Sequence, residues 1–177
     1  MRKIIISLLC LSAVFAINVS AQTKGEMYVG GSFNIGATTF THEDGNLNAL
    51  TYAVLPEYSY FVANNFRIGA ELSCNFAADV TILTLSPSLS YYVKLLDNFY
   101  YTPELTFGGG FITGKDFTLG ALSVGLNVIA FEFKPSKHVG LCLNFDNIFH
   151  AYLPENSFGS VHFGIFNSVG LGFRYYL

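Results

Sequence analysis

The stretch Val169-Gly170-Leu171-Gly172-Phe173-Arg174-Tyr175-Tyr176-Leu177 decides the fold. Successive residues of a strand point to opposite faces. Val169, Leu171, Phe173, Tyr175 and Leu177 therefore share one face, and Gly170, Gly172, Arg174 and Tyr176 share the other. The first face is an apolar stripe running to the last residue, and the second carries a charge. A sheet clad in lipid, with its polar side enclosed, calls for this division.

The same alternation recurs upstream and predicts about eight strands. Over 27–40, Met27, Val29, Phe33 and Ile35 oppose Tyr28, Ser32 and Asn34. Over 50–62, Tyr52, Val54, Pro56, Tyr58 and Tyr60 oppose Ala53, Leu55, Glu57, Ser59 and Phe61. Over 66–76, Phe66, Ile68, Leu72 and Phe76 oppose Arg67, Glu71, Ser73 and Asn75. Further strands are predicted over 80–93, 99–111, 118–133, 139–145 and 161–177. In the sixth, Leu122, Val124, Leu126, Val128 and Ala130 share the apolar side until Glu132 falls on it; a bulge near Ala130 would return Phe131 and Phe133 outward. Pro56, Pro87 and Pro103 open similar segments, and each lacks a ladder donor, so local bulges are expected there.

Composition narrows the class. Charged residues are 12% of the 177 and hydrophobic ones 51%, with 17 glycines, whereas a soluble domain carries about 25% charge. Beyond the leader, no run reaches the roughly 18 apolar residues of a spanning helix. A closed barrel satisfies every backbone group in lipid and leaves no edge. The fold expected is therefore all-β, an eight-stranded antiparallel up-and-down transmembrane barrel over residues 22–177. A lipocalin-like barrel reverses the polarity, but a face of Gly, Ser, Thr and Asn cannot form an apolar ligand cavity.

Residues 1–21 have the order of a secretory leader: Arg2-Lys3, an apolar run from Ile4 to Ile17, and Val19-Ser20-Ala21 before Gln22. Apolar sequence continues past Cys10, where a lipid-bearing cysteine would begin a polar linker.

Connections alternate in length. Residues 63–65, 94–98 and 134–138 read as turns; 41–49, 77–79, 112–116 and 147–160 lie between them, the first and last long. Short turns on the periplasmic side and longer loops outside are the barrel pattern. Lys24, Lys94, Lys134 and Lys137 fall toward the turn end. Glu43, Asp44, Asp79, Asp116, Asp146 and Glu155 fall toward the loop end.

The enclosed face holds the candidate site. Glu57, Arg67, Glu71, Glu104 and Arg174 project inward with Tyr28, Tyr92 and Tyr176. Eight strands leave an interior that side chains can fill, and buried charges must be paired. A salt-bridged plug is favoured over a polar conduit on bore size. With three acids against two bases, convergence of all five would leave one carboxylate sharing or retaining a proton.

Enzymatic signatures are missing. His162-Phe163-Gly164 and His150-Ala151-Tyr152 lack the His-x-Ser arrangement of lipid A deacylases, and His42-Glu43-Asp44 lacks a second zinc-helix histidine. Gly108-Gly109-Gly110 precedes no helix, so strand bending accounts for it. Three histidines in separate segments make no metal motif, and no cofactor or nucleic-acid partner is expected. Cys74 and Cys142, on opposite parities of non-adjacent strands, are not expected to pair.

The alternating strands, the Pro-Glu segments at Pro56-Glu57 and Pro103-Glu104, and the terminal Gly172, Tyr175 and Leu177 together resemble the small outer-membrane β-barrel, porin-like family of OmpX-type proteins and the OmpA membrane domain. The resemblance implies location in a bacterial outer membrane, contact with outer-membrane lipid and lipopolysaccharide, and a C-terminal signal for the barrel-assembly machinery. Leu177 replaces the family's usual terminal phenylalanine. Family roles span surface contact, envelope stability and minor channels.

Overall fold

The computed structural model describes residues 22–42, 45–77, 79–152 and 168–177, with side chains outside the described set for 38–42, 45–49 and 146–152. The leader over 1–21, Glu43, Asp44, Glu155, His162 and the start of the last predicted strand lie outside the described residues. Ten strands appear: β1 (Met27–His42), β2 (Gly45–Ala63), β3 (Phe66–Ala77), β4 (Val80–Tyr91), β5 (Val93–Leu96), β6 (Phe99–Tyr101), β7 (Glu104–Thr113), β8 (Thr118–Ser136), β9 (Val139–Tyr152) and β10 (Ser168–Tyr176). β4 continues into β5 past Tyr92, and β6 into β7 past Thr102 and Pro103, so the ten form a ring of eight antiparallel staves. The ring closes where β1 pairs with β10, from Tyr28↔Tyr176 to Gly36↔Ser168.

Exposure alternates as the terminal stretch predicts. Val169, Leu171, Phe173, Tyr175 and Leu177 are 46–68% exposed, while Arg174 and Tyr176 are buried. On β4, Leu83, Leu85 and Leu89 face out, and Ile82, Thr84, Ser86, Ser88 and Ser90 are buried. No helix among the described residues is long and apolar enough to cross a membrane; in this fold the strands provide the apolar surface.

Hairpins at one end of the ring turn tightly. Asn65 and Asn98 take left-handed φ values of 65° and 64°, which asparagine tolerates better than most residues. At the other end, the sequence expectation of a long first loop over 41–49 is corrected. Backbone pairing continues to His42↔Gly45, so β1 and β2 form one tall hairpin. β9 likewise runs to Tyr152, and β8 and β5 extend into the segments predicted as turns.

The prolines interrupt the ladder without shifting the register at two of the expected bulges. Around Pro56, β2–β3 pairing stops at Val54↔Cys74 and resumes in step at Glu57↔Glu71. Around Pro87, β4–β7 pairing stops at Leu85↔Gly109 and resumes in step at Ser88↔Thr106. In both cases the opposite flank stays paired, as Gly31↔Pro56 and Ala70↔Pro87 show. A missing N–H removes one donor on one side only, so one ladder suffers.

The expected bulge in the sixth stave lies a few residues earlier than Ala130. β8 pairs Leu126↔Asn147 and then Ile129↔Phe145, with one extra residue between them. Val128 and Ile129 are consecutive and both exposed, at 42% and 37%. Ala130, expected outward, is therefore buried; Phe133 faces out and Glu132 faces in.

Candidate functional site

The interior is layered. At the turn end, Tyr28, Phe61, Tyr92, Tyr100 and Tyr176 form a buried aromatic collar. Tyr28 and Tyr176 lie 5.2 Å apart, and Phe61 meets Tyr92 edge-on at 5.0 Å. Residues ahead of β1 close this end. Gln22 is buried, its backbone N–H donates to Asn65 Oδ1, and its Oε1 accepts from Lys134 Nζ at 3.0 Å. Lys134 was expected in a turn; β8 instead carries it inward, 3.5 Å from the Tyr176 ring centroid.

Next come the charges. Arg67, on β3, is fully buried and pairs with Glu104 at 2.5 Å and Glu57 at 3.7 Å. Its guanidinium also lies 5.4 Å from the Tyr28 ring centroid. Arg174, on β10, donates from Nε to Glu57 Oε1 at 2.6 Å and from Nη1 to Glu132 Oε2 at 2.8 Å. Tyr28 donates to Glu57, while Tyr92 and Tyr176 donate to Glu132 at 2.8 and 2.6 Å. Four of the five predicted lumen residues, Glu57, Arg67, Glu104 and Arg174, thus fall into one network. Glu71, cross-strand from Glu57, lines a cavity above it.

Glu132 was missing from the predicted set. Its alternation placed it among lipid-facing residues, and only the bulge turns it inward. Phe131 and Phe133 on either side were the available signal, since apolar neighbours flanking a charge mark a slipped parity. Gly140 makes room for it, because a Cβ there would overlap the Glu132 carboxylate. Glu132 adds an acid and Lys134 a base to the interior, so acids still outnumber bases by one, four to three.

Above the charges the wall is made of small polar groups. Ser86 and Ser123 meet at 3.2 Å from strands on either side of β7. Gly108 lies between them, and a side chain on it would collide with Leu85 O and Ser86 Oγ. The glycine run therefore lets neighbouring staves close over β7. A cavity of about 40 Å³ remains beside Glu57, Glu71, Glu104 and Asn127, room for only a few waters. Toward the loop end Ile82, Ile112 and Ala121 form a buried apolar cluster on three neighbouring staves.

Cys142 lines the cavity and Cys74 sits on β3; both thiols are free. Asp79, Lys115 and Asp116 are exposed at the loop end. Among the described residues no group of three or more His, Cys, Asp or Glu side chains is placed to hold a metal. Of the predicted assembly residues, Tyr175 and Leu177 face outward, Tyr175 stacking on His138 at 6.1 Å. Gly172 faces in, with Gly31 O, Ser32 Cβ and Cys142 Cβ just over 3 Å from where its Cβ would sit.

A closed antiparallel ring with an apolar exterior and a charged, hydrogen-bonded interior has the construction of a transmembrane β-barrel. No protein-family model matches the chain, and no curated protein matches it. Among solved structures it is similar to Neisserial surface protein A, at 12% identity over 86% of this chain and 97% of that one, with a TM-score of 0.48. It is also similar to Ail, the attachment invasion locus protein of Yersinia pestis, at 11% identity, 88% and 100% coverage and a TM-score of 0.45. OprG from Pseudomonas aeruginosa gives 11% identity, 90% and 99% coverage and a TM-score of 0.43. At such identities no residue role carries over, and the barrel rests on its own pairing and burial.

Proposed function

We propose that this chain is an integral outer-membrane protein whose lumen is a structural plug, and that it acts in envelope structure or surface contact through its loop end. The supporting observation is how the interior is occupied. The Arg67–Arg174–Glu57–Glu104–Glu132 network fills the interior beside the aromatic collar, and a cavity of about 40 Å³ lies against it. In this reading the apolar exterior contacts outer-membrane lipid and lipopolysaccharide. The turn end faces the periplasm, and the barrel-assembly machinery engages β10. No catalytic step is assigned.

The second reading is a narrow channel for ions or small solutes, favoured by the polar lining at Glu57, Glu71 and Asn127. Planar-bilayer recording on purified protein separates the two. A plugged barrel gives a silent membrane; discrete, reproducible openings defeat the plug.

A further inference from the structure

The largest fractional exposure of any bulky apolar side chain among the described residues is at the tip of the β5–β6 hairpin. Leu96 is 70% exposed and its neighbour Leu95 43%. The other turn-end hairpins have polar tips, Asn64-Asn65 and Lys137-His138. Only this one presents leucines.

We propose that the β5–β6 tip docks on the membrane leaflet at the turn end, with Leu95 and Leu96 seated at the boundary between headgroups and acyl chains. The inference rests on the membrane reading above and adds a specific contact to it.

Continuity with the apolar exterior identifies lipid as the occupant. Leu96 is cross-strand from Phe99, Phe99 from Phe133, and Phe133 from Leu141, so one row joins the tip to β9. Phe133 and Leu141 are 45% and 48% exposed. Behind that row, Phe99 stacks on Phe131 at 5.6 Å with ring planes 8° apart, and Phe131 packs on Tyr101. Aromatic side chains concentrate where a barrel's apolar band meets the interface. The tip's charges are self-compensated, Lys94 Nζ lying 2.8 Å from Asp97 Oδ1. Bringing it to the interface therefore strands no unpaired ion, and a long lysine stem can keep its ammonium among headgroups.

The chain contains no tryptophan, so single substitutions report depth directly in the full-length protein. Leu96→Trp and Leu95→Trp probe the tip; two variants guard against misfolding of one. Leu171→Trp, on the exposed face of β10, is the control. Each is folded into phosphatidylcholine vesicles brominated either near the headgroup or near the acyl terminus. The expected result is blue-shifted tip emission, quenched most by bromine near the headgroup and shielded from acrylamide, while Leu171→Trp responds to bromine within the acyl region. Tip emission quenched by acrylamide as for free tryptophan, with the control still quenched by bromine, overturns the docking and leaves the membrane reading intact. Tip emission shielded from acrylamide yet blind to both bromine positions also overturns it, because protein then covers the leucines. A control blind to bromine overturns the membrane reading and the docking with it.

Discussion

Glu132 and Arg174 meet across β9, their carboxylate and guanidinium 2.8 Å apart inside the aromatic collar. One carboxylate accepts from Arg174, Tyr92 and Tyr176. It arrives there because one extra residue in β8 reverses the facing of those that follow. Removing one partner of a buried pair costs about 3–5 kcal/mol. Arg174 keeps Glu57 as a partner, so Glu132→Ala is expected near the lower end, at about 3 kcal/mol. Glu132→Gln, which keeps the side chain's volume and one acceptor oxygen for a tyrosine, costs less. Urea unfolding in vesicles measures both, and equal losses would contradict a role for the charge.

The glycine run predicts a graded series. Gly108→Ala drives a methyl into Leu85 O and Ser86 Oγ, an overpacking that costs about 1–3 kcal/mol. Gly109→Ala meets its nearest neighbour at 3.3 Å, and Gly120→Ala meets nothing within 4 Å. The expected order of destabilisation is Gly108 first, Gly109 slight and Gly120 none. Thermal melts in detergent give the ranking.

Leu171 is 68% exposed on the outer face, opposite Phe33 and Leu143. If that face meets acyl chains, Leu171→Arg destabilises by about 2–4 kcal/mol, whereas Leu171→Phe is neutral. Equal stability of the arginine variant in vesicles would place water on that surface.

Cys142 tests closure of the lumen. Cys142 borders the cavity, beside Glu57, Asn144 and Arg174. A charged, water-soluble thiol reagent should leave Cys142 unmodified in the folded protein and modify it after denaturation. A Cys74→Ser background isolates the reading by mass spectrometry, and rapid modification of the folded form would favour the channel.

The C-terminal strand predicts an assembly effect. Tyr175→Ser removes an outward ring that stacks on His138, and Leu177→Phe restores the terminus usual in the resembling family. Assembly yield in cells should fall for the first and hold or rise for the second. Unchanged yield for Tyr175→Ser would remove that residue from the signal.

Much of this barrel was legible by parity, because a period of two sorts each residue onto one side or the other. Glu57, Arg67, Glu104 and Arg174 were placed inward on that basis and converge through space. Parity fails where the strand gains a residue. Ala130 was misassigned because the insertion lies ahead of it and not at it; Glu132, which the expected bulge already turned inward, was left out of the lumen set. Lys134 was read as the start of a turn; the structure keeps pairing past it, with a register shift at that point. The tall β1–β2 hairpin was hidden by Thr and Asn, which suit loops and exposed strands alike. Which inward groups touch depends on stagger between staves, and no single strand's sequence contains that.

The prolines also set where the wall's pairing is broken. Ladders beside Pro56 and Pro87 each lack two consecutive pairings, and the one beside Pro135 slips by a residue. The seam joining first and last staves runs nine pairings without a gap. The prolines thus interrupt pairing within the wall, while the junction of the two chain ends is continuous among the described residues.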